Sequence, residues 1–257
     1  MPILDQHGRK LGANPAIPSK LCRTLKLEHY VSAKLTKFVP PWFRWDEGVP
    51  DSVDLNNTLG DCVVAAQAKM IRSWTANASG GASIATVTDA DILDVYCKGA
   101  GYDPADPSTD QGWDLLSALS YWQKIGIAGH KIGVYAAVNP QHHHMMRSAM
   151  YLFGGVYTAF DLPNSIWEQM DAGNPWDIEI DDGGQAGGHC VTIQSVATNN
   201  TPICLTWGNR QAMTWRFVDR YCTEAYAIIS EDYLNGGKTL AGLDVVQLKS
   251  DLAAVQA

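Results

Sequence analysis

No stretch of the 257-residue chain approaches the roughly 18 consecutive apolar residues that a membrane-spanning helix requires. The opening Met1-Pro2-Ile3-Leu4-Asp5-Gln6-His7-Gly8-Arg9-Lys10 holds no apolar run of signal-peptide length, so synthesis in the cytosol is expected, with no membrane partner. An excess of basic charge is missing as well. Lys and Arg number 19 against 27 Asp and Glu, the net charge is −8, and no basic stripe interrupts the acidic background. Nucleic acid is therefore not an expected partner, because phosphate binding needs clustered cations. Cysteine pairs are absent too: Cys22, Cys62, Cys97, Cys190, Cys204 and Cys222 are spread singly, without a C-x-x-C, which argues for reduced thiols. The chain has no H-E-x-x-H and no G-x-S-x-G, which speaks against zinc-peptidase and serine-hydrolase chemistry. Gly237-Lys238-Thr239 is not a phosphate loop, since Asp232 occupies the place of the first glycine.

What remains is a chain 46% hydrophobic and 18% charged, long enough for one domain with two lobes. Its most informative stretch is Leu55-Asn56-Asn57-Thr58-Leu59-Gly60-Asp61-Cys62-Val63-Val64-Ala65-Ala66. Gly60-Asp61 is a turn and start signal, and Val63, Ala66, Met70 and Trp74 then recur at helical spacing. Cys62 thus falls at a helix N-terminus, where unpaired N–H groups favour a thiolate and a lowered pKa. The structural alternative is a packing cysteine, since thiols are among the most buried side chains. A base is supplied by Gly187-Gly188-His189-Cys190-Val191-Thr192-Ile193, where a histidine enters a β-branched run that reads as a buried strand. An early cysteine and a distant histidine suit a Cys/His hydrolase.

These segments resemble the papain-like cysteine peptidases. Trp45-Asp46-Glu47-Gly48-Val49-Pro50 followed by Asn56, six positions before Cys62, is similar to the family's approach to its oxyanion-hole Gln and nucleophile. Gly188-His189-Cys190-Val191 is similar to its small residue, His and apolar strand, and Thr206-Trp207-Gly208 to its Asn-Ser-Trp-Gly. Met213-Thr214-Trp215 and Tyr221-Cys222-Thr223-Glu224-Ala225-Tyr226-Ala227 resemble a divergent bacterial or phage-type branch. The resemblance implies an α+β, two-lobed fold, with a helical lobe carrying the Cys and an antiparallel β lobe carrying the His. It departs from the family in having Asn56 for Gln, Leu205 or Thr206 where Asn is usual, and no Cys-Gly-x-Cys-Trp around Cys62.

In chain order, residues 1–45 read as an extended arm punctuated by Pro15, Pro18, Pro40 and Pro41 and carrying Arg9, Lys10, Lys20, Arg23, Lys26, Lys34 and Lys37. Such a segment precedes the Cys62 region as an inhibitory pro-segment would, docking on an acidic surface of its own body or of a second copy. Self-association through the arm is left open; a solvated tail is the plainer reading. Residues 46–235 form the papain-like domain, with the helical lobe at about 55–130 and the β lobe at about 131–235. Thr88 with Asp91 reads as a capped helix start, Asp110 as the cap of a helix over Trp113 to Lys124, and Asn139-Pro140 as the cap of one through Phe153. Strands are expected over 132–138, 156–160, 178–180, 190–197, 203–207, 213–217 and 225–230. Residues 236–257 are a tail with an amphipathic helix. The run His142-His143-His144 does not suit one metal ion, because consecutive helical residues point about 100° apart. Asp177, Asp181 and Asp182 read as a solvated rim rather than a calcium loop. No metal and no cofactor are expected.

The mechanism implied has His189 deprotonate Cys62, with Asn56 and the Cys62 backbone N–H holding the oxyanion, Thr206 orienting the imidazole, and Gly188 and Trp207 bordering the substrate, a peptide or protein. The alternative is a papain-like module with a vestigial site and a structural or binding role, for example within a phage particle.

Overall fold

A computed structural model describes residues 8–21, 24, 26–29, 39–235 and 238–239. The basic residues Arg23, Lys34 and Lys37 and the amphipathic helix expected in the tail lie outside the described residues. The first half of the chain contributes β1 (Ala13–Asn14), β2 (Phe43–Arg44), α1 (Cys62–Ala78), α2 (Asp89–Val95), β3 (Trp113–Asp114) and α3 (Leu115–Lys124). The second contributes β4 (Ile132–Ala137), α4 (His143–Phe153), β5 (Val156–Pro163), α5 (Ser165–Asp171), β6 (Gln185–Val196), β7 (Pro202–Thr206), β8 (Asn209–Ala212), α6 (Trp215–Tyr221) and β9 (Cys222–Ser230).

Side chains on successive strand residues point to opposite faces, and the central strands are apolar on both. On β5 and β9, Tyr157, Ala159, Tyr226 and Ile228 join one core with α1, α2 and α3, whereas Val156, Phe160, Ala225 and Ile229 join a second with α4 and α6. The seven-stranded sheet, ordered β4-β9-β5-β6-β7-β8 with β2 on β6, therefore divides the molecule, and each of its pairings is antiparallel. Helix α1 packs across β6 with nearly every side chain buried. Its Trp74 indole donates to the Phe153 carbonyl at 2.9 Å and stacks on Trp122, which ties the helical side to the sheet side.

The Thr88 and Asp91 capping box forms. Four expected elements differ. Asp110 caps nothing; its carboxylate accepts from the Gly60 N–H and the Tyr96 hydroxyl, while α3 begins at Leu115 under the Asp114 side chain. Asn139-Pro140 does not open α4, whose first residue is His143. Residues 178–180 form no strand, because the Gln169 side chain bonds both the N–H and the C=O of Asp177 and takes the place of a neighbouring strand. After Met213 the chain turns helical, since the Thr214 hydroxyl caps the Phe217 N–H.

Candidate active site

Cys62 is positioned by a strained turn that a buried ion cluster holds. Asp54 and Leu55 sit at φ of 60° and 64°, in the left-handed region that ordinary residues avoid. The Asp54 carboxylate is gripped from α1 by Lys69 Nζ at 2.5 Å and Arg72 Nη1 at 2.8 Å, which pins the turn to the helix it precedes. The chain then rises through Asn56 and Gly60 to Asp61, whose carbonyl accepts from the Val64 and Ala65 N–H groups and starts α1. Cys62 is the first residue of that helix, is buried, and carries a free thiol.

Strand β6 brings the second half. The Cys190 backbone N–H donates to Cys62 Sγ at 3.4 Å, so His189 stands one residue from the sulfur on the adjoining strand. The His189 ring is buried and lies flat on the Trp207 indole, with centroids 4.0 Å apart and planes 8° from parallel. Trp207 itself holds a φ of 43°, a left-handed conformation that turns its ring under the histidine. His189 Nε2 lies 2.7 Å from the Thr206 hydroxyl, while Nδ1 is buried with no hydrogen-bond partner among the described residues. Asn56 is buried nearby, with its amide donating to the Leu59 carbonyl at 3.1 Å rather than into open space.

Burial sets the electrostatics. It pushes the Cys62 thiol up to about 12, and the adjacent Asp61 charge adds to this. The lowered pKa expected from the helix N-terminus is not found in this arrangement, because desolvation outweighs the helix end. Burial, helped by the Lys69 charge, holds His189 well below its usual value, so the ring is neutral. Asp61 is pushed well up by burial, and its two oxygens have no hydrogen bond of good geometry among the described residues.

The cause of much of this burial is the chain's own residues 9–14, which run between the two halves. The Lys10 N–H donates to the Asn56 carbonyl, the Trp207 indole to the Lys10 carbonyl, the Gly12 N–H to the Gly188 carbonyl and the Trp113 N–H to the Gly12 carbonyl. Strand β1 thus pairs in parallel with β3, Ala13 opposite Trp113. The fit is made of glycines: a Cβ on Gly12 would meet the Gly60 oxygen at 1.9 Å, and one on Gly188 the Ala13 oxygen at 1.9 Å. Side chains add ion pairs, Lys10 with Asp110 and Arg9 with Asp171. Gly12 thus donates its N–H to the Gly188 carbonyl and accepts at its own carbonyl from the Trp113 N–H, and the donor seated on Cys62 Sγ is the Cys190 N–H.

The order of motifs anticipates the approach of Cys62 to the His189–Cys190 strand. Gly12, Gly60 and Gly112 carry no sequence signal of their meeting, because only the close backbone approach of segments far apart in the chain gives them one. Asp61 was legible as a helix start but not as a buried carboxyl.

The sequence matches no model of a protein family and none of the curated proteins. Solved structures do resemble it. Xylellain, a cysteine protease from Xylella fastidiosa, superposes with a TM-score of 0.65 at 14% identity, covering 88% of this chain and 98% of that one. Procathepsin B S9 from Trypanosoma congolense gives 0.61 at 12% identity, covering 86% of each chain. Digestive procathepsin L 3 from the larval midgut of Tenebrio molitor gives 0.52 at 14%, covering 78% of this chain and 72% of that one. The helical and antiparallel halves that meet at Cys62 and His189 have the papain-like cysteine protease fold.

Proposed function

We propose that the chain is a thiol-dependent peptidase held in a latent form by its own residues 9–14. The observation that carries this reading is the meeting of a helix-start cysteine with a strand whose histidine has one nitrogen tied to a hydroxyl and the other left without a partner. With Nε2–H donating to Thr206, Nδ1 keeps its lone pair and is the nitrogen available as base. Once residues 9–14 leave and water or substrate enters, desolvation relaxes, His189 takes the Cys62 proton, and the thiolate attacks the carbonyl carbon of a peptide bond. The imidazolium returns that proton to the departing amine, and water then hydrolyses the thioester. Asn56 and the Cys62 N–H are the donors assigned to the oxyanion, worth about 3–4 kcal/mol each when aligned; Asn56 must first release Leu59. The Gly188 carbonyl and the Trp113 N–H offer hydrogen bonds to an extended peptide, as they do to Gly12.

Latency follows from occupancy: with the Gly12 N–H on the Gly188 carbonyl and the Gly12 carbonyl on the Trp113 N–H, residues 9–14 fill the backbone positions that an extended peptide would take. The test is hydrolysis of a mixed peptide library by the intact chain and by a chain lacking residues 1–16. Activity that appears on truncation and disappears with Cys62→Ala supports the reading; no cleavage by the truncated, folded chain removes it.

The second reading, a divergent bacterial or phage-type module with a vestigial site and a binding role, is favoured by one observation, the buried, high-pKa Cys62 without a hydrogen bond to His189. Under it, the truncated chain binds peptides in the same cleft and releases them unchanged.

A further inference from the structure

The fold brings a second thiol to the nucleophile. Cys190 follows His189 on β6, and its backbone N–H is the group seated on Cys62 Sγ. Its side chain leaves the strand on the side facing α1, where it shares one core with Cys62, while Val191, the next residue, joins the core on the other face. The Tyr157 hydroxyl, which donates to the Val63 carbonyl at 2.8 Å, also lies against the Cys190 thiol, so Cys190, Tyr157 and the first turn of α1 are a single contact group. Both cysteines are reduced here. The mechanism above has no task for its sulfur. Cys222, a nearby alternative partner, belongs to the core on the other face of the sheet.

We propose that Cys190 is a resolving cysteine for Cys62, and that exposure to a hydroperoxide closes a reversible Cys62–Cys190 disulfide that protects the nucleophile from terminal oxidation. The Cys62 thiolate attacks one peroxide oxygen, the O–O bond breaks, and the other oxygen leaves as hydroxide, giving Cys62 sulfenic acid. The Cys190 thiolate then attacks the sulfenyl sulfur, the S–O bond breaks, and the hydroxide that leaves takes up a proton. In sum two thiols are oxidised by two electrons, and one hydrogen peroxide becomes two waters. Without a partner thiol, a sulfenic acid exposed to more peroxide proceeds to sulfinic and sulfonic acids, which thiols do not reverse. Attack by one side chain on another held in the same buried compartment is effectively unimolecular, which is what lets it outrun a second peroxide.

The proposal rests on Cys62 being a usable nucleophile but is read without substrate. Full-length chain and full-length Gly12→Val, the latter with its cleft opened and its folding checked by circular dichroism, are treated with excess hydrogen peroxide at neutral pH, alkylated, digested and weighed. The expected result is the loss of two free thiols and a linked pair of peptides containing Cys62 and Cys190, faster in Gly12→Val and undone by dithiothreitol. In Cys190→Ser the linked pair is absent, and Cys62 is trapped by dimedone or carried to the sulfonic acid. Direct conversion of Cys62 to sulfinic or sulfonic acid in the unsubstituted Cys190 background, a Cys190–Cys222 link, or no reaction in either chain overturns the proposal. A linked pair in a chain that cleaves no peptide leaves the redox site standing and removes only the peptidase reading.

Discussion

Under the proposed mechanism His189 is the residue on which the chemistry turns, because its two nitrogens live in different surroundings. Nε2 has the Thr206 hydroxyl at 2.7 Å, and Nδ1 has no hydrogen-bond partner among the described residues. Replacing Thr206 by Val keeps the shape and removes the acceptor; with the truncated chain, turnover should fall about five- to tenfold, the effect of about 1–1.5 kcal/mol for one hydrogen bond, with little change in KM. An unchanged rate would mean that Trp207 stacking alone orients the ring. Asn56→Ala should cost roughly a hundredfold or more in kcat if its amide reaches the oxyanion, and almost nothing if it only braces the Leu59 turn. Burial also gives His189 a signature in stability. Its folded pKa is depressed, so its contribution is full above the unfolded value of about 6.5 and is lost as pH falls below that, with a slope of up to about 1.4 kcal/mol per pH unit. Asp61, whose pKa is raised, acts in the opposite direction over part of the same range. The measurement is therefore a difference: urea unfolding from pH 7 to 5 should show a shallower loss in His189→Gln than in the unsubstituted chain, and parallel curves would contradict a neutral buried ring. Of these residues, Cys62 and His189 announce themselves through a turn before a helix and a histidine entering a strand. Cys190 does not, since its role depends on a neighbour 128 residues away, and Asp61 does not, since its burial comes from the packed fold rather than from local pattern.

Among the elements, the segment around β1 and the turn before α1 carry the functional argument. Gly12 passes where a side chain would overlap the Gly60 carbonyl, so Gly12→Val should unseat residues 9–14, withdrawing Leu11 and Ala13 from the edges of the two cores while the sheet and the helices packed on it stay folded. The expected outcome is faster proteolytic nicking within residues 8–21 with unchanged far-UV circular dichroism; equal nicking rates would place the hold elsewhere. The turn at Asp54 has the opposite design. Its strain is offset by Lys69 and Arg72, both nearly buried, and a buried charge left alone is costly. Asp54→Asn should destabilise the chain by about 3–5 kcal/mol, measured by chemical denaturation. Element type was legible wherever apolar periodicity ran long, as in α1, β5 and β6. It failed over 178–180 and 213–217, where a Gln side chain imitates a strand and a Thr caps a helix that apolar residues alone do not announce.

At the scale of the whole molecule, two cores meet along a sheet, and residues 9–14 close the seam between them. The charge contrast visible in the sequence has a structural counterpart, in that Lys10 and Arg9 of the arm pair with Asp110 and Asp171 of the body. What the sequence could not indicate is that residues 9–14 lie in the cleft itself and run parallel to β3, because chain direction relative to β3 is a property of the fold. Among the described residues no helix is long and apolar enough to cross a membrane.

The direct measurement is the rate of Cys62 alkylation by iodoacetamide at neutral pH, followed by mass spectrometry in the intact chain, in Gly12→Val and in a chain lacking residues 1–16. Cys62 should be nearly inert in the intact chain, as its high pKa and burial require. It should become the fastest-labelled cysteine in both opened chains, and His189→Ala in the opened background should slow it again. Equal labelling of Cys62 in the intact and opened chains, or fast labelling that ignores His189, would contradict a thiol–imidazole pair held latent by residues 9–14.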